Sequence, residues 1–218
     1  MDLGISANVA PLLAEVKRFI EEQVLPVEHE FIAEIDVGDR WQHTDRQLEI
    51  MATLKDKARS GGLWNFFLTD GESGSGLNTV EYAYLAEEMG KSHLAAEMFN
   101  CAAPDTGNME VLHKYGTEAQ KKQWLEPLMN GDIRSAYAMT EPGVASSDAT
   151  NICSEAVLDG EEWVINGEKH YVSGAGDPRC KIMIVMVKTD PDAPKHLQLS
   201  LIHISEPTRP PVASRMPS

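Results

Sequence analysis

Basic residues are scarce in this chain: 19 Lys and Arg stand against 34 Asp and Glu, a formal charge of −15 over 218 residues. That excess argues against a nucleic-acid or anionic-membrane binder, either of which needs a clustered positive field. No run of about 18 apolar residues occurs, so nothing reads as a membrane-spanning helix. The opening Met1-Asp2-Leu3-Gly4 lacks the basic and apolar regions of a secretory leader, which makes a cytoplasmic protein the default expectation. Only three cysteines are present (Cys101, Cys153 and Cys180), far apart and without a CxxC pair, so neither a disulfide framework nor a structural zinc site is expected. His93, His113 and His170 lack ligand spacing, so no metal is expected either. Aromatics are few at 6%, yet a hydrophobic share of 42% is ordinary globular material.

What is present divides into two styles of patterning. From Val9 to Ile35 the positions Leu12, Leu13, Val16, Phe19, Ile20 and Val24 recur at helical spacing, with Pro11 in the first turn and a kink or break predicted at Pro26. Thr44 caps a second helix from Asp45 to about Ser60, which Gly61-Gly62 stops. Thr69 to Gly76 reads as a loop; it is no phosphate cradle, because no Gly-Lys-Ser/Thr follows. Asn78-Thr79-Val80-Glu81 and Thr117-Glu118-Ala119-Gln120 have capping-box spacing, and Ser92–Phe99 and Thr106–Tyr115 read as shorter helices between them. After Asn130-Gly131-Asp132 the period changes. Ser135–Thr140 reads as a strand, 155–158 and 163–165 as a hairpin around Asp159-Gly160, and Lys181–Val187 as a buried strand. Asn166-Gly167 marks a further tight turn before Lys169–Ser173.

The fold class expected is therefore α+β. A helical domain over 1–130 leads into an incomplete antiparallel β domain over 131–198, with a tail over 199–218. Four or so strands are few for a self-sufficient sheet and leave an open edge. In the tail, Ser200–Ile204 could form a strand, but Pro207, Pro210, Pro211 and Pro217 follow. The stretch Ser200–Pro210 resembles translated sequencing-adapter read-through, so the tail is expected to be non-native and disordered or spuriously docked.

One run concentrates the chemistry. Tyr137-Ala138-Met139-Thr140-Glu141-Pro142-Gly143-Val144-Ala145-Ser146-Ser147-Asp148 reads as a strand ending in a turn, where Pro142 fixes one dihedral and small residues keep the surface open. Backbone N–H groups and hydroxyls presented together suit a polar cofactor or a phosphate, although a plain β-turn has the same composition.

The pattern Tyr-x-Met-Thr-Glu-Pro-Gly followed by Ser-Asp resembles the first signature of the FAD-dependent acyl-CoA dehydrogenases. Ile165-Asn166-Gly167-Glu168-Lys169, with Tyr171-Val172-Ser173-Gly174-Ala175 after it, is similar to the second flavin-binding element of that family. Residues 103–112 and 144–152 resemble one branch, fused in some proteins to a phosphotransferase-like kinase domain. The resemblance covers roughly residues 1 to 195. It implies a helical domain, a middle β-barrel and a C-terminal four-helix bundle, of which this chain would be an N-terminal fragment lacking the bundle.

The resemblance also implies roles. Tyr137, Met139 and Thr140 match the strand that hydrogen-bonds the flavin ring, with donors at its pyrimidine edge stabilising the charge of the reduced ring. Ser147 matches a serine touching both cofactor and CoA thioester; one extra residue between Gly143 and Asp148 allows Ser146 to take that place. Tyr171 stands where tryptophan usually packs beside the ring, followed by Val172, and Ser173 matches a hydroxyl facing flavin N5. The reaction implied is α,β-dehydrogenation of an acyl-CoA to a trans-2-enoyl-CoA in fatty acid β-oxidation. An electron-transferring flavoprotein would be the acceptor, and the whole protein a homo-oligomer.

No catalytic residue is assigned. The family's base glutamate lies in the C-terminal bundle, Glu141 reads as structural, and Glu87, Glu88 and Glu110 fall on amphipathic helices where a solvated face is expected. Met109, Met129 and Met139 could line an acyl channel, but methionine at helical spacing is more often ordinary core. Two alternatives stand beside the dehydrogenase: a non-catalytic flavin or acyl-CoA binding fragment, and an acyl-CoA oxidase-like flavoprotein.

Overall fold

The computed structural model describes residues 3–39, 42–69 and 74–205. Positions 70–73 of the expected Thr69–Gly76 loop, and the tail beyond 205, lie outside the described residues. The chain forms two compact units, Met1–Glu110 and Val111–Ser218.

In the first unit, α1 (Ala10–Phe19) and α2 (Leu25–Ala33) are joined without interruption by a π turn over Ile20–Val24. The helix does not stop at Pro26; of the kink or break expected there, what is found is an interruption of the α ladder by this π turn. Proline has no N–H and crowds the carbonyl four residues back; the wider π turn absorbs this, with the Leu25 N–H donating to the Ile20 carbonyl. Leu13, Val16, Ile20, Val24 and Phe31 are buried along this continuous rod. The same device recurs in the second unit, where α7 (Glu118–Gln120) passes through a π turn over Lys121–Leu125 into α8 (Glu126–Asn130), just ahead of Pro127.

Capping decides the other helices. Thr44 and Gln47 close a capping box on α3 (Asp45–Ser60), and Asn78 and Glu81 do so on α4 (Thr79–Met89). The helix expected over Ser92–Phe99 shrinks to α5 (Ala95–Met98). Ser92 Oγ accepts from the Leu94 and Ala95 amides and donates to Glu28 Oε1, holding the chain in a turn before the helix can start. Phe19 and Phe66 both pack on Phe99, with centroids 5.2 and 5.7 Å away. The next helix, α6 (Asp105–Tyr115), carries the chain from the first unit into the second.

The second unit holds α7, α8 and a five-stranded sheet: β1 (Arg134–Ala138), β2 (Glu155–Asp159), β3 (Glu162–Asn166), β4 (Cys180–Lys188) and β5 (Leu199–Ser205). The sheet is mixed, which corrects the antiparallel expectation. β1 and β4 run parallel, β2 touches β4 in parallel through Glu155 and Lys188, and only β2–β3 and β4–β5 are antiparallel. The reason lies in 167–179. Lys169–Ser173 is not a strand but part of a crossover that returns the chain beside β1 in the same direction, as parallel pairing requires. β4 is central and buried at Ile182, Ile184, Val185 and Val187; Ala138, Ala156, Val185 and Val187 form a core onto which Val172 and Ile165 pack. β5 pairs with β4 over seven residues, Leu199 to Ser205.

Gly167 is required where the crossover begins. A Cβ there would lie 2.1 Å from Ser154 Oγ and 2.8 Å from its Cα, whereas one on Gly143 would meet nothing within 4 Å. Gly167→Ala should therefore cost on the order of 1–3 kcal/mol in urea unfolding, and Gly143→Ala should stay within about 0.5 kcal/mol of the parent. Equal values for the two variants would contradict the packing described.

Candidate functional site

β1 ends at Ala138, and the chain turns through Glu141-Pro142-Gly143. The Glu141 amide donates to Ser146 Oγ at 2.8 Å, and that hydroxyl donates to the Val144 carbonyl at 3.3 Å. Ser146 is thereby buried as a brace of the turn, while Ser147 beside it is exposed. Asp148 caps the short 3₁₀ turn Ala149–Asn151, accepting from the Thr150 hydroxyl at 2.7 Å and amide at 3.1 Å. These two bonds hold its carboxyl below the ordinary aspartate value.

Glu141 anchors the whole arrangement. Its side chain is buried, and Oε1 accepts from Lys169 Nζ at 2.8 Å and the Ser154 amide at 2.9 Å, while Oε2 accepts from the Cys153 amide at 2.7 Å. Burial pushes its carboxyl up. Lys169, the two amides and the nearby Ser154 hydroxyl, which lies close but outside hydrogen-bond geometry, outweigh this and leave it at about 2. Lys169 Nζ donates a second bond, to the Met139 carbonyl at 3.1 Å. One residue on, the His170 amide donates to the Thr140 carbonyl at 2.8 Å. The two motifs, nearly thirty positions apart in sequence, are thus tied side by side at one end of the sheet.

The positions singled out in the sequence fall around this tie. Tyr137, Met139 and Thr140 are half-buried, with the Tyr137 hydroxyl 4.0 Å from Met186 Sδ. Tyr171 takes a left-handed φ of 53°, costly for a bulky side chain, and presents its ring 83% exposed, stacked on His170 with centroids 3.8 Å apart. Val172 turns inward to the sheet core, and Ser173 faces outward. Among the described residues, the Thr140 amide and hydroxyl and the hydroxyls of Ser147 and Ser173 have no protein hydrogen-bond partner. Donors of this kind, beside an exposed aromatic face, fit the polar edge and flat face of an isoalloxazine ring.

Sequence reasoning passed over Lys169 as a functional residue and saw it only as part of a motif. A signal was available: a lysine just after one tight turn and a glutamate within another would each need an opposite charge if buried, and each could supply the other's.

Comparison with known proteins gives the following. Residues 10–132 match the family described as acyl-CoA dehydrogenase, N-terminal domain, and residues 136–215 match acyl-CoA dehydrogenase, middle domain. The chain is 51% identical over 206 residues to mouse acyl-CoA dehydrogenase family member 10, covering 91% of this chain and 19% of that protein. A solved structure from Mycobacterium abscessus, described as an acyl-CoA dehydrogenase, superposes with a TM-score of 0.87 at 48% identity, covering 94% of this chain and 52% of that one. An acyl-CoA dehydrogenase from Bacillus anthracis, solved in complex with FAD, gives a TM-score of 0.62 at 26% identity, covering 94% and 32%. The chain therefore spans about half of the mycobacterial protein and about a fifth of the mouse one.

The tie has a pH signature. Glu141 holds its proton less tightly folded than unfolded, so its stabilisation is fully present above about 4.5 and is lost as pH falls toward about 2. Thermal unfolding of the parent and of Glu141→Gln should differ most near neutrality, with the parent more stable, and converge across that window. A gap that stays constant from pH 7 to 2.5 would show that the carboxylate's charge contributes nothing.

Proposed function

The chain belongs to the acyl-CoA dehydrogenase family, and we propose that it supplies the flavin-holding part of an enzyme that converts an acyl-CoA to a trans-2-enoyl-CoA. The observation that carries this reading is the junction of Met139-Thr140 with Lys169-His170, beside Thr140 and the Tyr171–Ser173 turn at one end of the sheet. FAD, when bound, supplies the acceptor for the hydride leaving the acyl β-carbon. Thr140 would hold the ring's carbonyl-bearing edge through its amide and hydroxyl, Ser173 would direct its hydroxyl at N5, and Tyr171 would cover the ring with its exposed face. Tyr137 and Met139 would back the ring from the strand. Ser147, outside the brace made by Ser146, would reach both cofactor and thioester.

Removal of the substrate α-proton needs a base, and Glu141 does not serve. A carboxylate at about 2, committed to Lys169 and two amides, has little affinity for a proton at neutral pH. Likeness to the family assigns the base instead to a part of the longer protein outside these 218 residues, and the chain by itself is then a binding fragment without turnover. An electron-transferring flavoprotein as acceptor, a homo-oligomeric whole protein and a cytoplasmic location complete the proposal.

Titrating the purified chain with FAD tests the reading. Flavin fluorescence should be quenched on binding, and Ser173→Ala should weaken binding roughly fivefold, the worth of about one hydrogen bond. With acyl-CoA and an artificial electron acceptor the chain alone should show no turnover. Absence of FAD binding would sink the flavin assignment, and turnover by the chain alone would sink the fragment assignment.

A further inference from the structure

We infer that Lys169 is a positioning residue that raises the reduction potential of the bound flavin, acting on it through the Met139–Thr140 peptide. The inference rests on the FAD reading above. The carbonyl of Met139 and the N–H of Thr140 belong to one planar peptide unit, so a charge placed at one end is felt at the other. Lys169 Nζ sits 3.1 Å from that carbonyl oxygen, with its side chain only 12% exposed and so little screened by water. An ammonium there draws electron density toward the oxygen and leaves the Thr140 N–H more positive, a cooperative strengthening of the donor. The next peptide is held as well, because the Thr140 carbonyl accepts from the His170 amide. With both flanking carbonyls tied, the direction of the Thr140 N–H is set before any ligand arrives. Thr140 is half-buried, and its N–H has no protein partner among the described residues.

An N–H aimed at the carbonyl-bearing edge of an isoalloxazine stabilises the reduced ring more than the oxidised one, since that edge gathers negative charge on reduction. Glu141 works against this. Its Oε1, 2.8 Å from the same ammonium, competes with the Met139 carbonyl for the charge of Lys169. The pair therefore sets the donor strength of Thr140 by balance: removing the lysine weakens it, and removing the carboxylate frees the lysine to act more strongly. A merely structural role predicts something different, because loosening either partner would disturb the site in the same sense.

The experiment is a measurement of the flavin midpoint potential, by reductive titration with reference dyes, on the 218-residue chain loaded with FAD. Lys169→Met should lower the preference for reduced over oxidised flavin at least tenfold, which is about 30 mV for a two-electron couple. Lys169→Arg should restore most of it, and Glu141→Gln should shift the potential upward. Because Lys169→Met leaves a lone buried carboxylate and could unfold the chain, the double variant Glu141→Gln/Lys169→Met, which buries no charge, serves beside it and should lie at least tenfold below Glu141→Gln. Equal potentials in parent and lysine variants, or a downward shift in both Lys169→Met and Glu141→Gln, would overturn the inference while leaving the flavin reading intact. Failure of the parent chain to bind FAD would overturn both.

Discussion

The second unit depends on an ion pair that is buried. Taking a carboxylate and an ammonium out of water is costly, and their attraction compensates only when every remaining lone pair and proton is satisfied. Glu141 and Lys169 approach that condition through the Cys153 and Ser154 amides on one side and the Met139 carbonyl on the other. The pair gives specificity more than raw stability: it fixes which two loops meet and at what register. Loss of one partner strands the other as an uncompensated charge, so removing either alone costs more than removing both.

This constraint explains why the surrounding backbone tolerates unfavourable geometry. Tyr171 sits at a positive φ and Gly167 passes within contact of Ser154, because Lys169 and His170 between them are held at fixed points on the opposite loop. The crossover has no strand ladder of its own. Its shape is imposed at its first residues by the junction, and further along by Val172 packing in the sheet core.

Much of this was legible in the sequence, and the failures are informative. The capping boxes at Thr44, Asn78 and Thr117 named their helices because a cap is a local, stereochemical signal. The β2–β3 hairpin was equally legible from its turn. Strand direction was not: whether β4 runs with or against β1 depends on where a thirteen-residue crossover goes, and no short-range pattern encodes that. Asn166-Gly167 signals a tight turn before Lys169–Ser173, yet what governs those residues is a partner nearly thirty positions away. For the same reason, the paired family signatures were readable as strings while the side chain that ties them together was not. Ser146 and Ser147 could not be told apart by spacing; the brace to the Glu141 amide separates them.

The two π turns bear on how this chain could change in length. Each contains one residue more than the α turn it replaces, so elsewhere a single deletion there would heal the helix and keep its phase. Here Pro26 and Pro127 stand two positions beyond the widened turns. Healing would set each proline ring against the carbonyl four residues back, at a cost of about 3 kcal/mol or more. The surplus residue and the proline therefore guard one another: these helices can neither shed the one nor, having shed it, retain the other.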